Sequence, residues 1–380
     1  MKKVMVVTGT RADYGIYFPI LKKIEEDSDL ELQILVTGMH LTPKYGNTVK
    51  YIEADGFQIA AKVTAAVEAS RGGMARGIGE GIIGMTEAFE SLKPDCVIVL
   101  GDRGEMLAAT ISSVYLNIPT LHLHGGEVSG SIDESVRHAI SKLAHLHLTA
   151  TTASKERLIK MGEDPWRVYV VGAPRIEAIE SAVLPDIQSV KRKYHLDFAG
   201  IYGLFIYHPV TTDNQSIEKE LECIFKAVSE EKIPYVCVMP NSDAGSEEII
   251  NFYNNLSEKD GFYKIVTFEQ YDYLSILKHA YILVGNSSSG IIEAASFKVP
   301  VINIGSRQYR RERSQNTIDV SVDYNQIRSA FSIVKSTDFK ERLKRVKNVY
   351  YKKNTSQSVV EIIHRLNDYG DELTQKTISY

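Results

Sequence analysis

Residues 281–297 read Tyr-Ile-Leu-Val-Gly-Asn-Ser-Ser-Ser-Gly-Ile-Ile-Glu-Ala-Ala-Ser-Phe. An apolar run, Tyr281–Val284, ends in a turn, Gly285–Gly290, that opens into a helical stretch, Ile291–Phe297. A short run with no polar face is a strand buried on both sides, as in a parallel sheet covered by helices. Working outward, the same grammar repeats at Gly203–Tyr207, Tyr235–Met239, Tyr263–Thr267 and Val301–Ile304. An earlier series occupies Val4–Thr8, Leu32–Thr37, Cys96–Leu100, Thr120–His124, Leu146–Ala150 and Tyr169–Val171. Helical periodicity fills the gaps, as at Tyr17–Glu26 and Gly81–Leu92. Between the two series Ser181–Ala199 is polar and mixed, with Leu184-Pro185-Asp186 interrupting any helix. The expectation is α/β: doubly wound domains at 1–180 and 201–355, a linker at 181–200, and a helical tail at 356–380 packing back on the first domain.

The 380 residues are 44% hydrophobic and 24% charged, with a formal net charge of -4. No global basic field draws such a chain to nucleic acid or to an anionic membrane, so an anionic ligand must be held by a local cluster of cations and N–H groups. Cys96, Cys223 and Cys237 lie in or beside apolar runs and read as reduced core thiols. Val4–Val7 is too short for a secretory core, and no stretch approaches the ~20 apolar residues that span a bilayer; the expected location is the cytoplasm.

Ligands of open parallel sheets bind beyond the carboxyl ends of the strands, and the polar motifs cluster at such ends. Thr8–Tyr14, Gly101-Asp102-Arg103 and His122–Glu127 follow strands of the first series; His208–Thr212, Pro240–Asp243 and Gly285–Gly290 follow strands of the second. The Gly285–Gly290 turn, with three serines at a helix start, suits a diphosphate, and equally well a plain serine-capped turn. Glu293, one turn on, would reach ribose hydroxyls or serve as a surface acid favoured by the helix dipole. Arg307 adds a fixed cation, whereas Arg310, Arg311 and Arg313 read as a solvated charge run.

Asp102, Glu127, Asp133 and Glu134 bring carboxylates to two neighbouring strand ends, alongside His122, His124 and His138 and the cations Arg11 and Arg103. Side chains alternate along a strand, which sets His122 and His124 on opposite faces and leaves His122 structural. His138, His145 and His147 read as satisfying helix and core hydrogen bonds. A metal centre built on His122-x-His124-x-x-Glu127 with Asp133 and His138 meets the same difficulty, because only alternate members converge. No metal or cofactor is expected.

Seven motifs occur in order: Thr8–Tyr14, Val36–His40, Gly101–Arg103, Gly125–Glu127, Arg137-His138, His208–Thr212 and Gly285–Ser288. Together they resemble the hydrolysing UDP-N-acetylglucosamine 2-epimerases of sialic acid biosynthesis, from Lys3 to about Arg313. The resemblance implies the GT-B fold, two Rossmann-like domains facing across a cleft that holds the UDP-sugar, with homodimers or homotetramers. It implies anti elimination of UDP to a glycal, hydration at the anomeric carbon, and reprotonation of the neighbouring carbon with inversion, yielding N-acetylmannosamine. Asp102 and Asp133 match the family's catalytic carboxylates. The third catalytic position, glutamate in many members, is His124 here, with Glu127 the alternative. Arg11, Arg103, His208, Asn241, Ser287, Ser288, Glu293 and Arg307 match its UDP-binding positions. A hydrolysing relative acting on UDP-N,N'-diacetylbacillosamine, for legionaminic acid, is the near alternative. A GT-B glycosyltransferase or a silent UDP-sugar binder is the distant one.

Overall fold

Val4 and Val6 of strand β1 (Lys2–Thr8) pack into one apolar cluster and Met5 and Val7 into another, all four fully buried. An unbroken apolar strand thus feeds helix-covered cores on both faces of its sheet. The computed structural model describes the chain apart from residues 44–45, 66–70, 129–132, 211–215, 241–244 and 379–380 and the side chains of Arg71 and Asp133. The described residues up to Ala178, with those from Tyr350 on, gather into one unit, and Ile179–Val349 form a second.

The first unit holds β1, β2 (Leu30–Thr37), β3 (Ile59–Val63), β4 (Cys96–Leu100), β5 (Thr120–Leu123), β6 (Leu146–Thr149) and β7 (Val168–Val170). All pair in parallel, in the order β3-β2-β1-β4-β5-β6-β7. The second holds β8 (Gly203–Ile206), β9 (Tyr235–Val238), β10 (Phe262–Ile265), β11 (Ile282–Gly285), β12 (Val301–Ile304) and β13 (Thr317–Val320), again parallel, as β10-β9-β8-β11-β12-β13. In each sheet the chain winds one way from the first strand and then the other. The reversal leaves a crevice between β1 and β4 and between β8 and β11, where such folds take their ligands. Strands β3 and β13, unforeseen from the sequence, are edge strands whose residues are largely half-exposed, so neither carries a continuous apolar run.

Residues 181–200 are not a bare linker. Asp186 caps a helix, Ile187–Lys193, by accepting from the Ser189 N–H at 3.0 Å, and Val190 and Leu196 enter the second unit's core. Pro185 lies between that cap and the end of the preceding helix at Ser181. The second unit runs to Val349, and Val359, Val360, Ile362, Ile363, Leu366 and Leu373 fill the first unit's core beside the helix Arg11–Glu25.

Candidate active site

In the first unit the turns after β1, β4 and β5 carry the polar motifs. Thr10 caps Arg11–Glu25, and the Asp13 carboxylate accepts from the Gly9 N–H at 3.2 Å. Burial raises the Asp13 pKa, the Arg103 charge opposes it, and Asp13 serves the turn. Arg11 lies over the Tyr51 ring at 4.8 Å. Arg103 precedes the helix Gly104–Tyr115 and pairs with Glu105 at 3.3 Å. Asp102, in the same turn, accepts from the guanidinium of Arg137, a buried residue of the helix Asp133–Leu143. Asp133 begins that helix, at the end that borders this rim.

His124 follows β5 with φ 62°, an uncommon left-handed backbone for a residue with a side chain. Its Nδ1–H donates to Glu127 Oε1 at 2.5 Å, and both side chains are largely buried. Nε2 of His124 is buried too, with no hydrogen-bond partner among the described residues. His124 and Glu127 are therefore a hydrogen-bonded pair: the carboxylate holds the ring by one nitrogen and leaves the other without a protein partner among the described residues. Glycine at 126 is dictated by packing, since a Cβ there would lie 2.4 Å from the Ser154 carbonyl.

His122 is wholly buried with both nitrogens engaged. Nε2–H donates to the Gly101 carbonyl at 2.7 Å, and Nδ1 accepts from the Ser141 hydroxyl at 3.1 Å. Burial, aided by the charge of His147, pushes its pKa down to about 3. The ring is thus a neutral brace under the Asp102 turn. His145 Nδ1 accepts from the Thr120 N–H, His147 pairs with Glu163, and His138 with Glu134.

In the second unit the loops flanking the β8/β11 crevice are stitched by one buried side chain. Asn286 accepts from the His208 N–H at 2.7 Å and donates back to the His208 carbonyl at 2.8 Å. A Cβ on Gly285 (φ 136°) would lie 2.0 Å from the Ile206 carbonyl, so only glycine lets the turn leave the sheet here. His208 is buried with Nδ1 unpartnered among the described residues, and burial, then the Arg307 charge, lowers its pKa to about 4. Arg307 and Gln308 both donate to the Asn286 carbonyl, at 3.3 and 2.9 Å.

Two expectations need correction here. The helix after the serine turn is Ser288–Ile292, capped by Ser287, and Glu293 ends it instead of lying within Ile291–Phe297. Glu293 accepts from Ser289 Oγ, which also bonds the Tyr273 hydroxyl. Arg310 is exposed, as a solvated charge would be, but Arg311 donates to Gln308, and Arg313 to Gln308 and Asp319, so these two shape the loop that carries Arg307. Ser287, Ser288, Glu293, Arg307 and His208 share the second unit's rim; Asn241 falls outside the described residues. The sequence reading missed the holding roles of Arg137 and Asn286, although both lie within quoted motifs. Nothing in composition marks them, because each works on a partner far along the chain.

Residues 22–364 match the UDP-N-acetylglucosamine 2-epimerase family. The hydrolysing UDP-N,N'-diacetylbacillosamine 2-epimerase of Legionella pneumophila is 44% identical over 328 residues, 86% of this chain and 87% of that one. The UDP-N-acetylglucosamine 2-epimerase of Neisseria meningitidis is 35% identical over 328 residues, 86% of each. A crystal structure of a Neisseria meningitidis UDP-GlcNAc 2-epimerase bound to UDP-GlcNAc superposes with a TM-score of 0.83 at 18% identity, covering 96% of this chain and 100% of that one, a likeness of fold. Its two parallel sheets, and a match that runs through both, place the chain in the UDP-N-acetylglucosamine 2-epimerase family, as an enzyme of GT-B architecture.

Proposed function

We propose that the chain is a hydrolysing 2-epimerase, converting UDP-N-acetylglucosamine and water into N-acetylmannosamine and UDP for sialic acid synthesis in the cytoplasm. The observation that carries this reading is the His124 ring, gripped by Glu127 at Nδ1 and unpartnered at a buried Nε2. The hydrogen on the acetamido-bearing carbon has no carbonyl beside it, so its loss must be coupled to departure of UDP from the anomeric carbon. Elimination leaves a carbon–carbon double bond; water then supplies hydroxyl to the anomeric carbon, and a proton returns to its neighbour on the other face. That sequence wants two proton-handling groups and a cationic seat for the leaving diphosphate. His124, steadied by Glu127, moves one proton; Asp102, set by Arg137, moves the other, and Asp133 is the further catalytic carboxylate that the resemblance implies. Arg307, His208, Ser287 and Ser288, helped by Arg103 and Arg11, take the diphosphate, and Glu293 and Asn241 the nucleoside. No step calls for a metal or a redox cofactor.

A second substrate is favoured by one finding, the higher identity to the Legionella pneumophila relative: UDP-N,N'-diacetylbacillosamine would undergo the same chemistry. Incubation of each UDP-sugar in heavy water, followed by NMR, tests the reading. Deuterium on the acetamido-bearing carbon of a free sugar, with UDP released, is expected; a UDP-linked epimer as main product, or no turnover of either, sinks it.

A further inference from the structure

The helix Asp133–Leu143 lacks a glycine cap at its carboxyl end, where Ala144 and His145 follow directly. Its C-terminal carbonyls are served instead from more than two hundred residues away. Lys376 Nζ lies 2.8 Å from the Ser141 carbonyl, 3.0 Å from Lys142 and 2.7 Å from Ala144, and 2.6 Å from the buried Glu163 carboxylate. An ammonium at a helix carboxyl end satisfies orphan acceptors and complements the helix dipole. The segment bearing Lys376 is held in turn by the buried Arg167, which donates to the carbonyls of Leu373, Glu372 and Gln375 as well as to His145. Leu373 is buried in the core, and Tyr369 stacks on Trp166. Near its middle the same helix presents Arg137 to Asp102, and in the capped last turn its Ser141 hydroxyl reaches His122, which grips the Gly101 carbonyl.

We propose that Lys376 is a positioning residue for Asp102: by capping the Asp133–Leu143 helix it fixes Arg137 and the Ser141–His122–Gly101 chain that hold the Asp102 turn. The helix is about 16 Å long, short enough to transmit a displacement of its foot as a rigid rod. This rests on the catalytic role given to Asp102 above, while the structural coupling is testable without it.

The test compares the full chain with Lys376→Met by amide hydrogen exchange and by steady-state release of UDP. Loss of charge-assisted bonds at the cap is expected to speed exchange at residues 140–145 and 101–104 at least about tenfold, leaving second-unit peptides unchanged. kcat is expected to fall about tenfold with KM within about twofold, and Lys376→Arg to recover part of it. Ser141→Ala, which keeps the cap and breaks only the link to His122, should lower kcat without loosening 140–145. It supplies the test if Lys376→Met fails to fold. Wild-type exchange at 101–104, an unchanged kcat, or uniform acceleration across the first unit including β1 and β2 overturns the proposal. If the wild-type chain turns over neither UDP-sugar, the functional reading fails, and the exchange arm still decides whether Lys376 holds the Asp102 turn.

Discussion

Replacing Glu127 by glutamine tests the proposed chemistry at its narrowest point. The substitution keeps an acceptor oxygen about where the carboxylate sits, so the ring of His124 can still be held through Nδ1–H. What it removes is the negative charge 2.5 Å from that nitrogen. Both side chains are largely shielded, so water cannot replace the lost interaction. A hydrogen bond to a charged group contributes about 1.5–3 kcal/mol, against about 1 kcal/mol for a neutral pair. The difference falls on any state that carries a proton on both ring nitrogens. About 0.5–2 kcal/mol of transition-state stabilisation corresponds to a kcat lower by a factor of roughly 2 to 30. KM should stay within about twofold, because the substrate's diphosphate and nucleoside are held elsewhere. Steady-state UDP release, with UDP affinity measured by calorimetry as a control for folding, reads both quantities. A kcat unchanged in Glu127→Gln would refute the pairing as a working unit and return His124 to a structural role.

Further outcomes follow from the same geometry. Asp102→Asn should abolish measurable turnover while UDP affinity stays within about twofold, and residual activity above about 1% of wild type removes Asp102 from the reaction. Arg307→Ala, read by calorimetry, should weaken UDP binding about 10- to 100-fold through the loss of charge-assisted bonds. Gly285→Ala should unfold or gravely destabilise the second unit, since the new methyl meets a strand carbonyl; thermal melting shows this as a drop exceeding about 10 °C. For His122, the folded pKa of about 3 lies below the ordinary 6.5, so the unfolded chain binds the extra proton between those values. Its contribution is present above pH 6.5 and declines at about 1.4 kcal/mol per pH unit on acidification. The stability gap between wild type and His122→Gln should therefore narrow from pH 6.5 to 4 in urea titrations; a constant gap contradicts a buried neutral imidazole.

The fold was legible where strands carry an apolar run, including the edges β7 and β10, and opaque at the two edges β3 and β13. Val4–Val7, Val97–Leu100 and Leu283–Val284 announce themselves because helices cover both faces and every position is apolar. Ile59–Val63 and Thr317–Val320 have one pairing partner each and tolerate lysine and aspartate, so their composition is that of a loop. The linker at 181–200 misread for a related reason: the Ile187–Lys193 helix buries little beyond Val190 and Lys191, and its polar majority hides two anchoring contacts. Within the site, types and addresses were readable because every motif but Arg137-His138 stands at a strand's carboxyl end. Pairings were not. That His124 and Glu127 bond each other needs the left-handed backbone at 124, and that Arg137 serves Asp102 needs the packing of a helix over a turn.

Two further buried side chains share a logic that bears on the proposed reaction. Each unit ties the loops at its crevice through a buried polar side chain whose hydrogen bonds leave it little choice of position: His122 between Gly101 and Ser141, Asn286 between the two sides of His208. Buried groups of this kind contribute little net stability, since desolvation offsets most of what the bonds return. Their effect is on geometry, because a low-dielectric surrounding makes any misplacement costly. A reaction that breaks a glycosyl bond and inverts the adjacent carbon must keep its acid and base in place while a reactive alkene waits for water. Loops free to drift by an ångström would lose that order. Asn286→Ala separates this view from a purely stabilising one: with UDP still bound at saturating concentration, elimination should outrun hydration, and the unsaturated sugar should accumulate as free product. An Asn286→Ala enzyme that is slower yet still delivers only the hydrated epimer shows that loop placement does not govern the partition.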